Sequence, residues 1–554
     1  MKVRFDFLAR LTALLLFAAA VVLYSWNSDD AYHSYVMAKH LVEGKGLVYN
    51  TGFRATASTC PLLTLVEAVV FLFTDSADVC ALLIGLIFST AAAWTLFFRI
   101  CRTPFVALCL SGVMVASRCF LSFTTSGLEN PLLFFLGAVF FSLYFSCRFF
   151  SRRRLFAISL LMSLVAMTRT DAVLVFIPMA VWAYTAKTRE PWAMRMAMAA
   201  AGLAPFAVWT CFSVVYYGFP FPNTYYAKLY TGIPAIGYLV RGLAYYPASW
   251  LIDPMLFFVP VFAVGLAVEM RDRRLVPLLL GLAAYSLYVV LIGGDFMAGR
   301  HLTLQFFLLI GVVAFLVGGE RWNFILPRVI GCRDRCLIAL VTVICFAGCI
   351  WNYCSGSAEG AWWGSHDVLD ERVFYLSEGG EIPLFKSVWK SATGGGGGVE
   401  FRDDYRRGRI LDAYGRGDRG LCFGGREESY KGSKFLLAVL FGKDIFAASG
   451  LGMYLTDVIA LQDPLLARLK AYPPDNWRVG HIARDVPRGY HETLASGVNC
   501  IEDASLHEYY DKLLVVMKGP LFDRERLRTI LYLNCGKYDR LLEQYERNRL
   551  ARGN

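Results

Sequence analysis

The chain has 554 residues, of which 56% are hydrophobic and only 18% are charged, and its mean hydropathy is +0.47. These values exclude an ordinary soluble domain and predict a polytopic membrane protein with room for one further domain. The net charge of +11 does not by itself define an anionic partner, because its distribution along the chain matters more than its sum. The fifteen cysteines include no CxxC pair and no Cys/His ligand spacing, which excludes a zinc site or a disulfide scaffold as the basis of the fold.

The first predicted element is a membrane span at residues 8–26, which follows a basic N-terminus. We interpret it as an uncleaved span, because no small-x-small cleavage motif precedes a polar stretch. The sequence NSDDAYH (27–33) follows directly, so Asp29 and Asp30 stand at the end of this span. Two carboxylates beside hydrocarbon indicate a functional site, although charges at a span end also serve to hold a helix at the interface.

Ten further apolar runs are long enough to predict membrane spans, which makes eleven in all. They lie at residues 78–98, 104–122, 130–147, 155–168, 172–186, 196–217, 254–269, 275–293, 302–318 and 336–353. The shorter run PLLTLVEAVVFLFT (61–74) opens with Pro61, and we predict that it forms an interfacial helix in the first outer loop.

Basic residues fix the predicted orientation of these spans. With the N-terminus in the cytoplasm and 61–74 not crossing, every cytoplasmic turn carries Arg or Lys, as in RFFSRRR (148–154) and RDRR (271–274). This pattern obeys the positive-inside rule, and it would be inverted if 61–74 crossed the membrane. The topology therefore places residues 354–554 outside the cytoplasm.

The region after the last span differs in composition, being richer in charge and long enough for a domain of its own. We predict a transmembrane catalytic domain at 1–353 and an extracytoplasmic mixed α/β domain at 354–554. The five glycines at 394–398 lack the lysine of a phosphate-binding loop and predict a mobile loop. An extracytoplasmic location allows one or two disulfides, with the pairing left open, among Cys354, Cys422, Cys500 and Cys535.

Polar residues of several kinds concentrate in the predicted outer loops, whereas the cytoplasmic turns hold little besides Arg and Lys. This asymmetry predicts a site that several outer loops build together. Five charged residues lie within a few residues of a predicted span end, namely Glu129, Arg169, Asp171, Asp295 and Arg300. Since an unpaired charge is costly there, we expect these side chains to pair across loops.

The residue types in these loops suit group transfer from a lipid-linked phosphate. A carboxylate can act as general base toward a hydroxyl, while Arg and Lys can hold a phosphate through charge-assisted hydrogen bonds. Tyr and Trp near a bilayer surface offer faces for sugar rings, although they are equally common as interfacial anchors. The residues alone indicate this reaction class and no specific substrate.

The motifs in chain order resemble those of a known family. They are DDAYHSYVMAKHLVEGKGLVYN, STCPLLTLVEAVV, SGLENPLLFF, AMTRTDAVLVFIP, YYGFPFPNTYYAK and GGDFMAGRHL, followed in the tail by LTDVIALQDPLLARL and WRVGHIARDVPRGYHETL. Together they are similar to the GT-C glycosyltransferases, and within them to the group containing the mycobacterial terminal β-(1→2)-arabinofuranosyltransferase. The resemblance runs over nearly the whole chain.

The resemblance implies a GT-C fold, a polyprenyl-phosphate-linked sugar donor and an active site outside the cytoplasm. It places Asp29 and Asp30 at the catalytic position, one as base and the other orienting a hydroxyl or a basic partner. Two segments depart from the family pattern: Ala57-Ser58-Thr59-Cys60-Pro61 lacks the aromatic residue of the family's turn, and Ala298-Gly299-Arg300-His301 replaces a Pro-Gly-Arg-aromatic motif. The donor sugar, arabinofuranose or another, therefore stays open.

The other charged candidates each have a structural alternative. Arg300 is the candidate for the donor phosphate, unless it pairs with Asp295 to lock their loop. Arg169 and Asp171 are two residues apart and suit either an internal ion pair or substrate contact. Glu129 begins a span, where a negative charge also complements the helix dipole.

Six further residues are candidates for donor or acceptor binding: Asn223, Tyr226 and Lys228 in PNTYYAK, His33 and Lys39 on a helix after the aspartates, and His481 in the tail. Lys39 also suits a side chain that reaches for the interface, and His481 a structural role. No cluster has metal-ligand spacing, but adjacent carboxylates can bind a divalent cation through oxygen, so a metal requirement stays open.

We therefore expect an inverting membrane glycosyltransferase in the bacterial inner (plasma) membrane, which moves a sugar from a polyprenyl-phosphate donor to a glycan or glycolipid acceptor of the cell envelope. Its expected partners are that donor, the acceptor and membrane lipids, and not nucleic acid. The alternatives are a transporter or flippase for a lipid-linked sugar, which predicts inverted repeats and ionisable residues deep within spans, and a non-catalytic envelope assembly factor.

Overall fold

The protein is described from a computed structural model, which defines residues 2–147, 149–186, 190–317, 368–377, 384–393, 420–423, 436–437, 442–473 and 477–552. In these residues helices predominate and strands are few, which confirms the predicted mainly α fold. Several predicted features lie outside the described residues: the span at 336–353, the glycine run at 394–398 and Cys354.

The helices up to residue 317 follow the apolar runs of the sequence. They are α1 Lys2–Leu23, α2 Ala31–Val42, α3 Pro61–Phe71, α4 Ala77–Trp94, α5 Pro104–Ala116, α6 Arg118–Ser122, α7 Asn130–Phe145, α8 Arg152–Thr168, α9 Val173–Thr185, α10 Trp192–Tyr217, α11 Asn223–Ala227, α12 Ala235–Ile252, α13 Met255–Met270, α14 Leu275–Leu291 and α15 Leu302–Leu316. A π-helical turn, Thr95–Ile100, continues α4, and a 3-10 turn, Thr170–Ala172, precedes α9.

The described part of the tail contains shorter helices and a small sheet. The helices are α16 Glu371–Ser377, α17 Leu384–Thr393, α18 Gly442–Gly450, α19 Tyr490–Ser496, α20 Ala504–Lys518, α21 Arg524–Asn534 and α22 Asp539–Ala551. The strands β1 Gly420–Phe423, β2 Leu436–Leu437 and β3 Tyr454–Asp457 form a parallel sheet in the order β2-β1-β3.

Three of the described helices are long and apolar enough to cross a membrane: Arg4–Leu23, Ala77–Ile100 and Trp192–Tyr217. The pair α12 and α13 meets the same criterion together but bends by 102° between its halves. Six shorter apolar helices accompany them, one of which is α3 in the predicted interfacial segment. The predicted count of eleven spans stays a prediction.

The chain forms two compact units, each assembled from separated stretches. Unit 1 comprises Met1–Ser28, Ser76–Phe206 and Pro234–Gly396, and unit 2 comprises Asp29–Asp75, Ala207–Ile233 and Gly397–Asn554. The first outer loop and the PNTYYAK loop therefore fold with the tail in unit 2. The candidate site residues divide between the two units.

Unit 1 is a packed helical bundle in which a small residue permits a close approach. Helix α14 packs on α9, and a Cβ at Gly281 of α14 would lie 2.0 Å from the Val175 carbonyl oxygen of α9. No side chain fits at that distance, so glycine is required for the two backbones to meet. The packing of α9 against α14 in turn brings the loops at their ends into proximity.

Unit 2 is held together by two apolar clusters that join the loops to the tail. In one of them, Val36 and Met37 of α2 pack with Tyr217 and with Leu455 of β3. In the other, Ala227 of the PNTYYAK loop and the nearby Phe219 join a core built largely from tail residues. Because these contacts are buried, α2 has a fixed position relative to the end of β3.

Candidate functional site

In unit 1 the five charged residues expected to pair form one ionic cluster. Arg169 lies between α8 and the following 3-10 turn, and it donates through Nη1 to Glu129 and through Nε to Asp171 Oδ1 at 2.8 Å. Arg300 Nη2 lies 3.3 Å from both carboxylate oxygens of Glu129, and its Nη1 lies 3.6 Å from Asp295 Oδ2. Glu129 thus stands between two guanidinium groups and is 3% exposed.

His301, which the sequence marked only as the start of a span, completes this cluster. Its Nε2 lies 3.4 Å from Asp295 Oδ2, and its Nδ1 lies 3.1 Å from Arg169 Nη2. The hydroxyl of Tyr285 from α14 is 3.0 Å from the same Nδ1. The cluster therefore ties α14 to the loops that precede α9 and α15.

The charges of the cluster offset most of one another. Burial alone would raise the pKa of Glu129, but Arg300 and Arg169 outweigh it and lower the pKa to about 2. Burial, assisted by Arg169, lowers the pKa of His301, so its ring is neutral near pH 7. Three carboxylates then face two guanidinium groups, a net charge of −1. A phosphate would have to compete with these carboxylates for the arginines.

In unit 2, Asp29 and Asp30 lie at the start of α2, and both are only partly buried. The Asp30 N–H donates to Asp29 Oδ1 at 2.7 Å, which fixes the first carboxylate against the helix start. Asp30 occupies the N-cap position, yet its side chain makes no capping hydrogen bond. The N-cap aspartates Asp503 and Asp523 of α20 and α21 do accept such bonds. Helix capping therefore does not account for the carboxylate of Asp30.

The residues around this carboxylate pair come from three separate parts of unit 2. His33 follows Asp30 by three residues, and its Nδ1 lies 2.8 Å from the side-chain nitrogen of Gln462 in the tail. The main-chain oxygen of Gln462 accepts a hydrogen bond from Asn223 Nδ2 at 3.1 Å. Two predicted site residues, His33 and Asn223, are thus joined through a residue that was not predicted.

A buried aspartate fixes the loop that carries Gln462. Asp457 ends β3, and its carboxylate accepts hydrogen bonds from the Leu461 and Gln462 N–H groups at 3.2 Å each. Burial, assisted by the nearby Asp463, outweighs these bonds and raises the pKa of Asp457 to about 7. Asp463 in turn accepts from Thr456 Oγ1 at 2.7 Å. These bonds set the position of the Gln462 backbone.

The remaining candidates of unit 2 have contacts of other kinds. Lys39 pairs with Asp75 and lies 3.8 Å from Glu43. The ring of Tyr226 lies under the guanidinium of Arg468 at 4.7 Å. Lys228 ends α11 with an exposed side chain.

His481 is exposed, and its Nδ1 lies 3.3 Å from the Val479 carbonyl of its own turn. Among the described residues no group of three or more His, Cys, Asp and Glu side chains is arranged to hold a metal ion. Residues 2–552, with the gaps given above, thus offer two clusters of chemistry: ionic in unit 1, and a carboxylate pair with an imidazole in unit 2.

Sequence reasoning did not assign a role to Gln462, Asp457 or His301. Gln462 and Asp457 lie in LTDVIALQDPLLARL, a segment whose resemblance to the family was noticed but which is distant in sequence from the first loop. Only the tertiary fold, through the apolar contacts of α2 with β3, brings this segment to His33.

Comparison of the chain with protein-family models, with curated proteins and with solved structures finds no match in any of the three.

Proposed function

We propose that the protein is a membrane glycosyltransferase that moves a sugar from a polyprenyl-phosphate donor to a glycan or glycolipid acceptor of the cell envelope. The observation that supports this most directly is the carboxylate of Asp30, which is partly exposed at an N-cap position but does not cap its helix. It follows α1, a helix long and apolar enough to cross a membrane, within seven residues of the helix end at Leu23. A carboxylate in that position suits a base acting on a substrate at a membrane surface.

The proposed reaction is a single displacement. Asp29 or Asp30 takes the proton of an acceptor hydroxyl while that oxygen forms a bond to the anomeric carbon of the donor sugar. The bond between the anomeric carbon and the phosphate oxygen breaks, and the polyprenyl phosphate leaves with the electron pair. Attack from the face opposite the leaving group inverts the anomeric configuration.

The donor needs a partner for its phosphate, and Arg300 in unit 1 remains the proposed residue. Its guanidinium is already shared by Glu129 and Asp295, so phosphate contact would require it to exchange one of these carboxylates. A structural role for Arg300 predicts a loss of stability on substitution, whereas phosphate contact predicts a higher KM for the donor. The two roles are therefore separable by experiment.

The proposal also includes the finer description of the fold and location. We propose a multi-pass GT-C arrangement of about eleven spans in the bacterial plasma membrane, with α3 at the interface and the tail outside the cytoplasm. The three long apolar helices and the six shorter ones support a membrane location. Mapping of extracytoplasmic loops by labelling in intact cells tests the orientation, and protection of the tail in such cells would contradict it.

The test of the activity is transfer by the purified full-length chain in proteoliposomes. Polyprenyl-phosphate donors carrying a pentose or a hexose are supplied with a glycan acceptor, and the product is examined by mass spectrometry and by NMR of its anomeric configuration. The proposal predicts transfer from at least one donor, with inversion. Movement of the donor across the bilayer without transfer would instead identify a flippase.

Absence of both transfer and donor movement with the whole donor set would favour the assembly factor. The same assay, repeated with EDTA and with added Mg²⁺ or Mn²⁺, answers the open question of metal. If the reaction requires a divalent cation, for which Asp29 and Asp30 would supply oxygen ligands, chelation abolishes transfer and the metal restores it.

A further inference from the structure

Gln462 is buried where three segments of unit 2 meet, and its backbone is fixed from both sides. The side chain is 1% exposed. Its N–H donates to Asp457 at 3.2 Å, and its carbonyl oxygen accepts from Asn223 at 3.1 Å. The side-chain amide of Gln462 therefore projects from a backbone that has little freedom to move.

The side-chain amide of Gln462 lies against the ring of His33. The side-chain nitrogen of Gln462 lies 2.8 Å from Nδ1 and 3.0 Å from Nε2 of His33, so the amide is in contact with the imidazole ring. The ring of Tyr49 packs edge-on against His33, with centroids 5.8 Å apart. The imidazole is thus constrained by an amide and by an aromatic ring.

The hydrogen bonding of the Gln462 side chain is incomplete, whereas a buried glutamine with a purely structural role normally has all its polar atoms bonded. Among the described residues, its Oε1 is buried and has no hydrogen-bond partner, and the same holds for the hydroxyl of Tyr49. A buried polar atom without a partner costs about 1–3 kcal/mol in typical proteins, so native structures rarely keep one without a reason. The Gln462 amide that contacts His33 therefore keeps an oxygen that can accept a hydrogen bond from a further polar group.

His33 lies in the first turn of α2, three residues after the N-cap residue Asp30. Residues three apart along a helix are neighbours on its surface. The field of Asp30 acts on the His33 ring, where it opposes the lowering of the His33 pKa by burial. The orientation of the ring therefore bears directly on the environment of the proposed base.

We propose that Gln462 is a positioning residue, which fixes the imidazole of His33 beside Asp30 and so sets the geometry of the base. This inference rests on the proposed function, because its readout is sugar transfer. It does not require Gln462 to touch the substrate. Gln462 acts through His33, and its backbone carbonyl extends the same constraint to Asn223 in the PNTYYAK loop.

The test compares steady-state transfer by the full-length wild type and by Gln462→Met, which preserves length but removes the amide. We expect kcat to fall about 10- to 100-fold, as for a misplaced catalytic group, while KM for donor and acceptor stays within about twofold. The isosteric Gln462→Glu keeps an oxygen that can accept from the His33 ring, so its kcat should exceed that of Gln462→Met. Gln544→Met makes the same chemical change at an exposed position of α22 and should leave kcat unchanged.

A double-mutant cycle with His33→Ala separates positioning from a general loss of structure. If Gln462 acts through His33, the double variant loses no more than His33→Ala alone, because the two residues form one unit. Multiplication of the two separate losses would overturn the inference. Should Gln462→Met fail to fold, Gln462→Asn keeps a polar amide but falls short of the ring, and the same loss of kcat is expected.

Failure of this inference is distinguishable from failure of the proposed function. A wild type that transfers no sugar contradicts the proposed function. A wild type that transfers sugar, with Asp29 and Asp30 variants inactive and Gln462→Met fully active, contradicts only the role of Gln462.

Discussion

The two clusters of charged residues differ in how their charges are used. In unit 1, Glu129, Arg169 and Arg300 neutralise one another through direct ion pairs. In unit 2, Asp30 is a partly exposed carboxylate at a helix start that it does not cap, and its neighbourhood contains buried polar atoms with unused bonding capacity. Mutual ion pairing is typical of structural networks. We therefore expect substitutions in the first cluster to change mainly the stability of the protein, and substitutions of Asp29 and Asp30 to change mainly sugar transfer.

The largest expected effect is on the stability of unit 1. Substitution of Arg169 by alanine leaves the buried Glu129 with Arg300 alone and the partly buried Asp171 without its cation, at a cost of about 3–5 kcal/mol. Thermal unfolding of the purified protein in detergent should show a large decrease in the midpoint temperature. Arg153→Ala, an exposed arginine of α8, is the matched control and should change the midpoint little. An unchanged midpoint for Arg169→Ala, with loss of donor binding, would reverse the assignment of this cluster.

The dependence of stability on pH should have opposite signs in the two units. The pKa of Glu129 is lowered by Arg300 and Arg169 despite burial, so its contribution is present above about pH 4.5 and is lost as the pH falls toward 2. The pKa of Asp457 is raised by burial to about 7, so its contribution is present below about pH 4 and is lost as the pH rises through 7. The free energy of unfolding should be measured across this pH range. In Glu129→Gln it should lose its decrease toward acid pH, and in Asp457→Asn it should lose its decrease toward neutral pH.

These two variants also check each other. Each removes one titrating group, and neither should alter the slope that belongs to the other unit. If both variants lost the same part of the pH dependence of the free energy of unfolding, Glu129 and Asp457 would not titrate independently. That result would contradict the separation of the two clusters.

A smaller effect distinguishes the aspartates at helix starts. Asp523 accepts a hydrogen bond from the Arg526 N–H at 3.0 Å, so Asp523→Ala should cost about 1 kcal/mol of stability without affecting transfer. Asp30→Ala removes no capping bond, so it should cost less stability than Asp523→Ala while reducing transfer. Chemical denaturation and the transfer assay measure the two quantities. Equal destabilisation by both variants would mean that the carboxylate of Asp30 stabilises the start of α2.

The smallest effect is expected at Lys39. It pairs with Asp75, whose side chain is 90% exposed, and an ion pair in such surroundings contributes about 0–1 kcal/mol. Lys39→Ala should therefore leave the unfolding midpoint nearly unchanged. The same variant tests the predicted substrate contact, because loss of that contact would appear as a higher KM for the donor.

The sequence was informative where the signal is local. Apolar periods and proline positions predicted most helices of the first 317 residues closely, for example 172–186 against α9 at Val173–Thr185, but they did not predict α12 at Ala235–Ile252. The cost of an unpaired charge near a span end correctly suggested that Glu129, Arg169 and Arg300 would pair. The alternatives that paired Arg169 with Asp171 and Arg300 with Asp295 are confirmed. The sharing of Glu129 by both arginines could not be predicted, because it depends on the packing of helices that are distant in sequence.

The tail shows the opposite case. Gln462 and His33 are separated by 429 residues, and no periodicity or local motif links them. Their contact follows from the apolar packing of α2 against β3 and from the loop that Asp457 fixes. Likewise, the assembly of the first outer loop with the tail in one unit depends on tertiary contacts that composition does not encode.

The most direct test of the central assignment is the transfer rate of Asp29→Asn, Asp30→Asn and their double variant in proteoliposomes with a defined donor. Asp75→Asn, in the same loop with an exposed side chain, is the control. The assignment predicts a loss of about 10²- to 10⁴-fold in at least one single variant and in the double variant, with Asp75→Asn unchanged. Full transfer by both single variants and the double variant would contradict it.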